Sequence, residues 1–66
     1  MARYLVRIDN QDYVFVEKWD NVADELYYEV YKSSIDETNG QYIGDFDTDK
    51  ELISNSFLNE FREWLN

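Results

Sequence analysis

Sixty-six residues make one small domain, because a chain this short buries only about 60 % of the surface it exposes when unfolded, and the expected unit is 1–66. Fifteen acidic side chains face six basic ones, a net charge of -9, and the chain contains neither cysteine nor histidine. That composition excludes disulfides, thiolate or imidazole metal ligands, nucleophiles activated by histidine, and a side-chain proton shuttle near its ordinary pKa at neutral pH.

The first predicted element is a strand over residues 3–8, where Tyr4, Val6 and Ile8 alternate with Arg3, Leu5 and Arg7. Asp9-Asn10-Gln11-Asp12 is turn chemistry, since Asp and Asn tolerate left-handed conformations. An even-length turn over all four residues would set Ile8 beside Tyr13 and Val6 beside Phe15. A second strand is expected over 12–19, rich in β-branched and aromatic side chains on both faces. Residues 22–32 support two patterns. Asn21 followed by Asp24, with Val22, Leu26 and Val30 every four residues, suits a helix, whereas Leu26, Tyr28 and Val30 alternating with Tyr27, Glu29 and Tyr31 suits a strand. The Asn39-Gly40 hairpin signal ahead of Tyr42 and Ile43 favours a third strand over 25–34 and a fourth over 41–46. Thr48 and Glu51 have capping-box spacing, and Ile53, Phe57, Leu58, Phe61, Trp64 and Leu65 lie on one arc, which predicts an amphipathic helix over 49–65.

The fold class that follows is α+β: a four-stranded antiparallel meander with one C-terminal helix packed on one face, the alternative being ββαβα with a helix at 22–32. The covered face would hold Tyr4, Val6, Ile8, Tyr13 and Phe15, joined by Leu26, Tyr28, Val30 and Ile43. The other face would carry Leu5, Val14, Val16, Tyr27, Tyr31, Tyr42 and Phe46, an apolar set for a surface left in water. Of these, Tyr27, Tyr31, Tyr42 and Phe46 are the candidate sheet-face contact, for docking or for a homodimer.

Charge is distributed unevenly. Residues 1–19 are neutral overall, whereas residues 20–51 carry ten acids against Lys32 and Lys50. In a meander, the loop after the second strand and the junction after the fourth share one end of the sheet. Asp20, Asp24, Glu25, Asp45, Asp47, Asp49 and Glu51 would therefore form an acidic pole, the candidate partner-binding site. Asp45, Asp47 and Asp49 have the spacing that opens an EF-hand loop. The match then fails, because Lys50 stands where Gly is needed and Ser56 where the bidentate Glu is needed, so at most a weak cation site is expected there.

Carboxylate pairs can catalyse glycoside hydrolysis, but a pocket of ~300 Å³ or more lined by apolar groups would consume the core of so small a domain. No enzyme activity, catalytic residue or cofactor is expected. Direct nucleic-acid binding has the wrong charge sign. The longest apolar run, Tyr13 to Val16, cannot span a bilayer, and Arg7 interrupts any signal-peptide core, so a soluble cytoplasmic protein is expected. A compact acidic surface suits a basic protein groove that ordinarily holds nucleic acid. In size and charge the chain resembles the small acidic inhibitors that phages and mobile elements direct at restriction, CRISPR or repair enzymes, the DNA-mimic class. The expected function is such an inhibitor; the alternative is a small regulatory or structural module that docks or homodimerises through its aromatic sheet face.

Overall fold

The computed structural model describes residues 2–33 and 40–66. Strands β1 (Arg3–Ile8), β2 (Gln11–Asp20), β3 (Glu25–Ser33) and β4 (Gln41–Phe46) pair antiparallel in that spatial order, and helix α1 (Asn55–Leu65) follows. The meander with one C-terminal helix is thus the fold. Residues 25–32, within the stretch open to a helical reading, form most of β3, which pairs with β2 from Glu25 opposite Asp20 to Ser33 opposite Asp12. Two-residue alternation of aromatic and β-branched side chains outweighs the four-residue spacing here because both neighbours of β3 are strands. The Asn39-Gly40 turn lies, apart from Gly40, outside the described residues.

The first hairpin is tighter than expected. Asp9 (φ 51°) and Asn10 (φ 66°) are both left-handed and close the loop by themselves, so Ile8 faces Gln11, Val6 faces Tyr13 and Tyr4 faces Phe15. Two consecutive positive φ angles define the turn whose twist matches paired strands, and Gln11 and Asp12 are released into β2. The register moves by two residues, which leaves every side chain on its expected face.

The helix is shorter than the expected 49–65, and Thr48 does not cap it. Ser54 is the N-cap: its hydroxyl accepts the Phe57 amide at 3.1 Å. The reason lies just upstream, where Ile53 takes a left-handed φ of 68° that breaks any helix running through it. Thr48 Oγ1 instead accepts the Lys50 amide and donates to Glu60 Oε1 at 2.9 Å, fastening the 47–54 segment to the side of the helix.

Beneath α1 lies the core of Val6, Ile8, Tyr13, Phe15, Tyr28, Val30, Phe46, Phe57 and Phe61, with Tyr4, Ile43, Leu52, Leu58 and Trp64 packed at its margin. Phe15, at the centre of β2, meets Tyr28 edge-on and both helix phenylalanines, with ring centroids 5.1–5.7 Å apart. Such pairs add roughly 0.5–1.5 kcal/mol each beyond the burial of the rings. Three assignments change, the first being Val16, which was expected on the face left in water and is buried at 6 % exposure. Leu26 is exposed and not core, since α1 begins too late to cover the end of the sheet where it pairs with Trp19. Phe46, expected on the open face, is core at 2 % exposure. A β-bulge between Val30 and Tyr31 is responsible: Tyr31 faces Tyr42 but Val30 faces Gly44, so one extra residue in β4 turns Phe46 toward the helix. Gly44 (φ 142°) is suited to that bulge, where a side chain would also press on the Trp64 ring.

Candidate functional site

The end of the sheet opposite the Asp9-Asn10 turn is built from the close of β2, the 21–24 loop, the start of β3 and the close of β4. Asp20 shapes the loop, its Oδ1 accepting the amides of Val22 (2.9 Å) and Ala23 (3.2 Å), and Asp24 (φ 56°) turns the chain back into β3. These two residues therefore have local structural work beyond their charge.

Four of the seven acidic residues expected at this pole come together. Asp20, Glu25, Asp45 and Asp47 line an open groove of about 550 Å³ with Trp19, Asn21, Val22 and Tyr27. This groove is open to solvent and lies at the surface, outside the core. No Lys or Arg is among its lining residues. The remaining three, Asp24, Asp49 and Glu51, lie outside it. Asp49 is engaged by Lys50 Nζ at 3.0 Å, which holds its carboxyl below the usual range.

The groove has a negative field and an apolar rim. The Tyr27 hydroxyl is pushed up from its ordinary value, first by burial and then by the charges of Asp45, Glu29 and Asp20. Trp19 is 54 % exposed and Val22 98 % exposed, large apolar side chains left in water beside the carboxylates. Neither was expected at the site. The late start of the helix, written in the Ser54 cap, was the signal that Trp19 would stand uncovered.

Across the sheet face turned away from α1, Tyr31 and Tyr42 pair with ring centroids 5.5 Å apart. Tyr42 donates to Asp45 Oδ1 at 2.6 Å, a bond that pushes its hydroxyl up to about 12, and Tyr31 donates to Glu29 Oε1 at 3.2 Å. Lys18 Nζ stands 3.7 Å from the same Glu29 oxygen. Of the four candidate face residues, Tyr31 and Tyr42 form this pair, Tyr27 joins the acidic groove, and Phe46 is withdrawn into the core. The Asp45-Asp47-Asp49 run does not converge: among the described residues, no group of three or more His, Cys, Asp or Glu side chains is disposed to hold a metal ion.

Fold and groove together describe a small α+β domain with an acidic, aromatic-edged recess at one end of its sheet. Among the described residues no helix is long and apolar enough to cross a membrane. No family model matches the chain, and no curated protein or solved structure matches it either.

Proposed function

We propose that this protein is a non-enzymatic, protein-binding inhibitor whose acidic groove engages a basic partner, and that the partner is a cytoplasmic nucleic-acid-handling enzyme of the restriction, CRISPR or repair type. One observation carries the proposal: four carboxylates share a groove with Trp19 and Tyr27 and, among the described residues, with no Lys or Arg. Carboxylates accept the forked hydrogen bonds of a guanidinium, and aromatic faces attract the same cation, so the recess suits Arg or Lys side chains that ordinarily hold phosphates. Net charge of -9 adds long-range steering toward a basic surface.

Competition tests it. The partner recovered from the native host on immobilised protein should bind DNA or RNA by itself, and adding the protein should displace that nucleic acid at near-stoichiometric ratios. A partner that holds its nucleic acid undisturbed while binding the protein would overturn the proposal.

A further inference from the structure

We infer that the outer edge of β1, unpaired among the described residues, is a strand-addition site for an extended peptide segment bearing an apolar residue flanked, two positions away on each side, by carboxylates. The sheet has two edges, and they differ. The β4 edge is interrupted by the bulge between Val30 and Tyr31 and carries Asp45, devices that blunt strand pairing. The β1 edge is regular over Arg3–Ile8, with neither bulge nor proline.

Which groups β1 offers follows from its pairing. The Glu17 amide donates to the Ala2 carbonyl at 2.9 Å, which makes Ala2 and Glu17 a hydrogen-bonded pair. Alternation down the ladder then directs the amides and carbonyls of Tyr4, Val6 and Ile8 toward β2, and those of Arg3, Leu5 and Arg7 outward. The side chains of these same three residues stand on the face away from α1. Leu5 is 73 % exposed, Arg7 is mostly exposed although paired with Asp12 at 3.0 Å, and Arg3 is exposed and has no ion pair among the described residues. An added antiparallel strand would thus meet backbone donors and acceptors at every second residue, with a cation, an apolar side chain and a cation opposite its own.

A second copy of the chain is the poorer occupant. Pairing β1 with itself about Leu5 sets Arg3 against Arg7 of the second copy, a like-charge contact, and brings two net charges of -9 together. A foreign segment with carboxylates in those positions avoids the like-charge contact and sets only its own two charges, not a second -9, against the net charge of the chain.

The probe is the capped peptide Thr-Glu-Thr-Val-Thr-Glu-Thr, titrated into the isotopically labelled protein, with amide exchange read residue by residue. The Arg3, Leu5 and Arg7 amides should gain at least tenfold protection at saturation, and the Lys-for-Glu counterpart should bind at least tenfold more weakly. Arg3→Glu together with Arg7→Glu should reverse that preference. Arg3→Glu alone, which breaks no ion pair among the described residues, should abolish it even if the double variant folds poorly. Absence of binding, equal binding of the two peptides, or protection confined to other amides would overturn the inference. So would protection of the same three amides that rises with protein concentration in the absence of peptide, since a second copy would then close the edge.

Discussion

The two ends of this sheet are treated in opposite ways. Toward the middle and the Asp9-Asn10 turn, β1, β2 and β3 lie under α1, Phe15, Phe57 and Phe61 are wholly buried, and Arg62 grips Asp9 with two hydrogen bonds of 2.9 and 3.2 Å that tie helix to turn. At the far end Trp19, Val22 and Leu26 are exposed, and the 47–54 segment leaving it holds Ile53 left-handed and 55 % exposed. Burial is concentrated in one region; the other leaves apolar side chains in water beside like charges and a left-handed Ile53.

The sharpest way to break that contrast is to mutate both regions. Phe57→Ala or Phe61→Ala should cost roughly 3–5 kcal/mol in urea denaturation and leave so small a domain largely unfolded, whereas Val22→Ala should stay within about 0.5 kcal/mol. Comparable losses at the two ends would dissolve the distinction. Ser54→Ala should cost about 0.5–2 kcal/mol by removing the cap, and Thr48→Ala should cost less than Ser54→Ala, because its hydroxyl only fastens a loop.

Ile53→Gly should run the other way and raise stability by up to about 1 kcal/mol, since glycine accepts a left-handed φ that a β-branched residue resists. A loss on that substitution would mean that the Ile53 side chain is packed more usefully than its exposure indicates. The smallest effect concerns acid. Arg62 holds the Asp9 carboxyl below its ordinary value, so the contribution of this pair is present above the unfolded carboxylate pKa and disappears as pH falls through the lower folded value. Asp9→Asn retains a residue suited to the left-handed turn while removing the charge. Its stability should therefore fall less than that of the wild type between pH 5 and pH 2, as read from melting curves.

Much of the architecture was legible because it rests on local pattern. Period-two alternation located β1 and β3, β-branched and aromatic side chains on both faces located β2, the Asn39-Gly40 turn signal located β4, and the helix stripe through Phe57 and Phe61 identified its buried face. What escaped rests on single backbone conformations with no periodic signature. Ile53 ends one reading of the helix and begins another, and an inserted residue beside Gly44 sends Phe46 to the opposite face. Thr48 and Glu51 had capping-box spacing, but Ser54 followed by Phe57 and Leu58 has the advantage of starting the helix where its apolar face meets Phe15 and Phe46. For the candidate site, the meander topology was enough to gather Asp20, Glu25, Asp45 and Asp47. Trp19 was missed because its exposure depends on where the helix stops covering the sheet, and Val22 because it projects from the 21–24 loop.

The central claim is that the groove recognises its partner by charge, and the most direct test changes charge without changing shape. In the variant carrying Asp20→Asn, Asp45→Asn and Asp47→Asn, each amide oxygen can still accept the bonds that Asp20 takes from Val22 and Ala23 and Asp45 takes from Tyr42. Affinity for the recovered partner should be measured by calorimetry over a series of salt concentrations. Binding should weaken at least tenfold at low salt, its salt dependence should flatten, and the melting temperature should stay level or rise as repulsion falls. A variant that binds as tightly as the wild type with the same salt dependence would contradict the claim.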